Sequence, residues 1–177
     1  MKSKLYIAFV LTLVMSGCLQ SANDTPTPRP SLYETGQDKS KKEVPFETKQ
    51  DDGSPIITIF INGEAMGGAI WDTGATTTQI SHLEFVKMIK SGKVDQDKDL
   101  IRYETIIIAD GSIVDGVPVY NMKEIALHCK DGRILTCYNV EVCVVENIAA
   151  DILLGQNVMQ KLPKCSVNTV KQVIEFE

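Results

Sequence analysis

Ile70-Trp71-Asp72-Thr73-Gly74-Ala75 ends an apolar run with an acid on a turn. An apolar strand that stops at Asp-Thr-Gly places one carboxylate where it can meet solvent. The residues before it fit a hairpin. Ile56 to Ile61 is rich in β-branched residues, Asn62-Gly63 is a strong hairpin turn, and Met66 to Trp71 reads as the return strand. Behind the acid, Ser81 with Glu84 three residues on forms a capping box. The helix it opens carries Leu83, Val86, Met88 and Ile89 as its apolar stripe and stops at Gly92.

Further along, the pattern turns to strands. Tyr103 to Ala109, then Asp110-Gly111, then Ser112 to Val114 reads as a hairpin. Val117 to Tyr120 and Lys123 to Cys129 are β-rich, and Asp131-Gly132 marks another turn. In Asn139 to Val145, the valines 140, 142 and 144 share one face, with Glu141, Cys143 and Cys137 on the other. Ile152-Leu153-Leu154-Gly155 is a short buried strand. Residues 156–162 suit a short helix stopped by Pro163, and 170–176 suit a final strand. The fold class expected is mostly β: a barrel or sandwich of short strands with one or two short helices.

At this point the chain resembles the retropepsins, the aspartic peptidases of retroviruses and their bacterial relatives. The matching pieces are Ile59-Phe60-Ile61-Asn62-Gly63, the run 70–75, Ile80-Ser81, Ala109-Asp110-Gly111, Asn139-Val140 and Leu153-Leu154-Gly155-Gln156, in the family's order over about residues 54–177. The resemblance implies a closed acid-protease barrel and an aspartic endopeptidase with Asp72 as catalytic carboxylate. It makes Thr73, Gly74 and Ala75 the active-site loop, Ala109, Asp110 and Gly111 the flap, and Leu154 and Gly155 the residues packed against the loop. It implies no metal and no organic cofactor, and an extended peptide or protein as substrate.

The chemistry needs two such acids. Two carboxylates at close range cannot both ionise, so they share a proton. The chain has a single Asp-Thr-Gly and no Asp-Ser-Gly, so a homodimer has to supply the second carboxylate. In the family the chain ends interleave, which gives the terminal strand around Ile174 and Phe176 an interface role; the alternative is an ordinary edge strand. A non-catalytic peptide-binding or structural envelope lipoprotein of the same fold is the other function the sequence allows.

The N-terminal stretch reads separately. Lys2 and Lys4, the apolar run from Leu5 to Val14, and Ser16-Gly17-Cys18 have the layout of a signal peptide over 1–17. The end of that run resembles the lipobox of bacterial lipoproteins, which implies lipid on Cys18 and anchoring to a membrane. Leu19 after Cys18 points, by the same analogy, to the periplasmic face of the outer membrane. Residues 18–53, with Pro26, Pro28 and Pro30 among polar neighbours, read as a disordered tether. The folded domain is expected over 54–177.

Charge and cysteines narrow the classes. A net charge of −5 leaves no basic footprint for nucleic acid. With two histidines and no Cys-x-x-Cys there is no zinc pattern. No Gly-x-Ser-x-Gly supports a serine nucleophile. In an oxidising compartment Cys129, Cys137, Cys143 and Cys165 can form two disulfides with three possible pairings; buried free thiols are the alternative. Glu104 and Asp115 are read as solvated acids and His82 as exposed.

Overall fold

A computed structural model describes residues 41–108, 110–146 and 150–177. Residues 1–40, with the expected signal peptide and Cys18, lie outside the described residues, as does Ala109. The elements are β1 (Lys42–Pro45), β2 (Glu47–Thr48), β3 (Pro55–Ile61), β4 (Glu64–Trp71), β5 (Thr78–Ser81), α1 (His82–Lys90), β6 (Leu100–Ile107), β7 (Ile113–His128), β8 (Ile134–Val145), β9 (Ile152–Leu154), α2 (Gln156–Met159), β10 (Cys165–Asn168) and β11 (Val173–Phe176).

The large sheet runs β2-β3-β4-β9-β5-β8-β7-β6, and β3 also pairs with β7. That last pairing, Ile59 to Leu127 through Ile61 to Ile125, closes β3, β4, β9, β5, β8 and β7 into a barrel. Closure needs a bend, and β3–β4 supplies one. Its register shifts between Ile57 and Ile59, where Gly67 and Gly68 face a single residue and Gly68 takes φ 73. Asn62 (φ 50) and Gly63 (φ 78) make the hairpin turn as expected.

Ile57, Ile59, Ile61, Ile80, Met122, Ile125, Leu127, Ile152 and Leu154 fill the interior and are all but unexposed. Each contributes about 1.5–3 kcal/mol by leaving water. A smaller cluster of Val117, Val119, Cys143 and Val145, with Ile106 and Val114 against it, sits at the root of the β6–β7 hairpin.

The alternation expected along β8 slips. Cys137 joins Val140, Val142 and Val144 in the main core, while Cys143 belongs to the smaller cluster. Asn139 takes φ 51, which turns the chain over between Cys137 and Val140. Strand β7 slips at the same level, from Met122 to Ile125.

Two strands, β1 and β2, lie in the stretch the composition assigns to the tether, so the folded unit begins before residue 54. β1 forms a second sheet of order β1-β11-β10. The expectation for the C-terminal strand is therefore corrected. β11 is the middle strand of a sheet built within one chain, with Val173, Ile174 and Phe176 buried, and not an edge. Lys41, Asn168 and Lys171 surround the Glu175 carboxylate, at 2.9, 3.0 and 3.2 Å. Those three donors hold its pKa down at about 2.

The disulfide expectation is also corrected: all four described cysteines are free thiols. Cys137 and Cys143 lie on one strand six residues apart, roughly 20 Å along it, beyond any bridge.

Helix α1 is capped by Ser81 Oγ, which accepts from the Glu84 N–H at 3.3 Å. Its buried residues are Phe85 and Met88, and Leu83 is 64% exposed, so the core-facing stripe is rotated from the expected one.

Candidate active site

Strands β4 and β5 are consecutive in sequence but β9 lies between them in the sheet. The chain must therefore leave β4 at Trp71, cross the end of β9, and return as β5. The crossing segment, residues 72–77, holds Asp72-Thr73-Gly74.

Crossing over another strand fixes the loop through its backbone. The Asp72 N–H donates to Leu154 C=O at 3.1 Å, extending the parallel β4–β9 ladder by one step. Gln156 N–H donates to Ala75 C=O at 2.8 Å and Asn157 N–H to Thr76 C=O at 3.1 Å. The Gln156 side-chain amide donates to Thr73 C=O at 2.7 Å. Gly155 passes directly beneath: a Cβ there would stand 2.6 Å from the Thr77 carbonyl carbon. Only glycine fits that approach.

The acid itself is half-buried, and Thr73 and Gly74 are exposed. Asp72 Oδ1 accepts the Gly74 N–H at 2.8 Å, which orients the carboxylate. A Cβ on Gly74 would crowd that same oxygen at 3.2 Å. The loop is thus rigid in its backbone while its carboxylate remains accessible, which is the arrangement general acid–base work requires.

Two supporting residues were not foreseen. Asn157 Oδ1 accepts from both the N–H and the hydroxyl of Thr78, at 2.9 and 2.8 Å. Its amide donates to Glu141 C=O at 2.8 Å. Thr78 Oγ1, fully buried, also accepts the Gly155 N–H at 3.1 Å. This network joins β5, β8, β9 and α2 at the base of the loop.

The hairpin of β6 and β7 is the predicted flap. Its turn closes on itself: Ile108 N–H to Ser112 C=O at 3.0 Å, Gly111 N–H to Ile108 C=O at 2.8 Å, and Ser112 N–H to Asp110 Oδ1 at 2.8 Å. Gly111 takes φ 85, so the turn needs it. Cross-strand partners Ile107 and Ile113 flank it, 72% and 67% exposed.

Glu104, read from sequence as a solvated acid, is partly buried. It accepts from the Cys143 thiol at 3.0 Å and pairs with Arg102 at 2.8 Å. Burial, and then that carboxylate, push the Cys143 pKa up to about 12, so it stays a protonated thiol. Asp115 is exposed and accepts from Thr105. His82 is exposed, and His128 stacks on Phe60 at 3.9 Å. A groove of about 420 Å³ opens beside β4, lined by Ile56, Ile70, Leu83, Lys49 and Asp151 among others; Asp72 is not in its walls.

A small closed barrel with an Asp-Thr-Gly loop braced by a Leu-Leu-Gly strand defines a retropepsin-like fold. The chain is similar to a retropepsin-like aspartic protease from Rickettsia conorii, with a TM-score of 0.55 and 18% identity over 77% of this chain and 92% of that one. It overlaps more loosely with basic 7S globulin from soybean, with a TM-score of 0.47 and 11% identity over 79% of this chain and 42% of that one. No family model matches the sequence, and neither does any curated protein.

Proposed function

We propose that the protein is an aspartic endopeptidase whose active site is built from the Asp72 carboxylates of two copies. The observation that carries this reading is the Asp72 loop: backbone-locked to β9 and α2, yet presenting a half-exposed carboxylate oriented by Gly74.

In the proposed reaction the two acids share one proton. The ionised one takes a proton from water as the water oxygen attacks the peptide carbonyl carbon. The protonated one gives its proton to the carbonyl oxygen, leaving a neutral tetrahedral species. Collapse breaks the C–N bond: the leaving nitrogen takes the proton of the protonated acid, and the other acid takes one from a hydroxyl of the tetrahedral species. One water is consumed and the acids return to their starting state. The flap, with Ile107 and Ile113 at its end, would lie over an extended peptide and exclude water.

The site of action we propose is the cell envelope, with lipid on Cys18 anchoring the chain to the periplasmic face of the outer membrane and a polar stretch carrying the domain clear of it. Cys18→Ser is expected to move the protein from the membrane fraction to the soluble one.

The reaction is tested on a peptide library over acid to neutral pH, with and without pepstatin. Pepstatin-sensitive cleavage that disappears in Asp72→Asn is expected. A folded protein that cleaves nothing at any pH would instead be a peptide-binding module.

A further inference from the structure

The hairpin of β6 and β7 leaves the barrel at a definite level. β7 pairs with β8 from Val119 to His128, whereas its residues 113–118 pair with β6 alone among the described residues. The outermost row shared by all three strands is Arg102, Val119 and Cys143. The β6–β7 ladder shifts register on either side of that level, between Leu100 and Arg102 and again between Glu104 and Ile106. Gly116 takes φ 69 opposite the second shift. Bulges and a left-handed glycine are where an antiparallel pair bends. The flap thus has a root at Arg102 and a joint just beyond it.

Arg102 spans that root. Its Nη2 lies 2.8 Å from Glu104 Oε2, further out on β6, and 2.8 Å from Glu141 Oε2 on β8, which it reaches across β7. Glu141 is where the two parts of the candidate site meet. Its carboxylate pairs with Arg102, and its backbone C=O accepts from the Asn157 amide at 2.8 Å. The oxygen of that same amide braces Thr78 at the base of the Asp72 loop.

The three charged side chains are 25–45% exposed. Ion pairs so exposed do little for stability. The packing beneath them is already closed by Val117, Val119, Cys143 and Val145, with Ile106 and Val114 against them. What the network does supply is a bias toward one setting of the joint. The Asp72 loop is held independently on its other side. Trp71, the residue before Asp72, packs edge-on against Phe176, with ring centroids 6.2 Å apart. Releasing Arg102 therefore frees the flap and leaves the acid in place.

We infer that Arg102 is a positioning residue: its guanidinium clasps Glu104 of the flap to Glu141 of the barrel and so sets where the flap stands relative to the Asp72 loop. Its effect on turnover rests on the peptidase reading; the clasp itself can be measured without it.

The experiment uses the full chain. Arg102→Met keeps the apolar stem and removes both pairs. Glu141→Ala removes the barrel end of the clasp and keeps the backbone C=O that holds Asn157. With an uncharged peptide substrate, each variant should raise KM about 5-fold, the factor an exposed ion-pair network carries. Turnover per site, counted by pepstatin titration, should not change. A merely structural loss would lower the number of active sites and leave KM alone. The double variant should also stand at about 5-fold, because both changes break one clasp. Hydrogen exchange over residues 102–106 and 114–119 should quicken by about the same factor in each variant, while exchange over 152–159 stays as it is. KM unchanged in both variants, single effects that multiply in the double variant, or exchange that is unchanged at the flap or quickened throughout the barrel would overturn the clasp. Failures separate cleanly. A wild type that cleaves nothing removes the peptidase reading and leaves the clasp to be decided by exchange. Asp72-dependent cleavage indifferent to Arg102→Met and Glu141→Ala keeps the peptidase and removes the clasp.

Discussion

The Asp72 loop and the flap turn are both short exposed connections between strands, and they are held in opposite ways. The Asp72 loop is bonded to residues some 80 positions away: Leu154, Gln156 and Asn157. The flap turn is bonded within residues 108–112. One conformation is imposed by the rest of the barrel; the other is local. A group that must meet a reacting atom at fixed distance gains from the first arrangement, and one that must open and close gains from the second.

This contrast can be broken at several points. Asp72→Asn should have the largest effect on activity, a loss of about 10²–10⁴-fold in peptide turnover. Asparagine can still accept from Gly74, so thermal unfolding should be unchanged; a large fall in stability would mean that the acid is structural. Gly155→Ala should come next. It drives a methyl into the Thr77 carbonyl and should cost about 3 kcal/mol or more in denaturant unfolding. Asn157→Ala strands the buried Thr78 hydroxyl and should cost about 2–3 kcal/mol, with turnover falling as the loop loosens. A turnover unaffected by Asn157→Ala would show that the bracing is redundant.

Effects at the flap should be smaller and of another kind. The double change Ile107→Ser with Ile113→Ser should raise KM about 10-fold and leave stability in place, because both side chains are exposed before substrate arrives. The smallest effect concerns pH. Glu175 is held at about 2, against 4.5 for the free group, so its contribution is complete above pH 4.5 and is lost as pH falls toward 2. Melting temperature should therefore drop more steeply over that range in the wild type than in Glu175→Gln.

What was legible in the sequence was what is written locally. The Asn62-Gly63 turn, the strand into Asp72, the Ser81 cap and the flap turn at Asp110-Gly111 each carry their own signal within a few residues. The Leu154-Gly155 contact was legible through resemblance, not through pattern. The misses are non-local. Thr78 and Asn157 are 79 residues apart, and neither shows on its own that it bonds the other. The face change at Asn139 needs a positive φ that alternation cannot announce. β1 is polar enough to pass for tether, and becomes a strand because β11 offers it a partner from Lys42 to Pro45.

The chain's single tryptophan sits at the joint between acid and terminal strand, 5% exposed and against Phe176. Its ultraviolet emission is therefore a built-in gauge, needing no label. A red shift on dilution, acidification or ligand addition would report water reaching the floor of the Asp72 loop, without interference from any other indole.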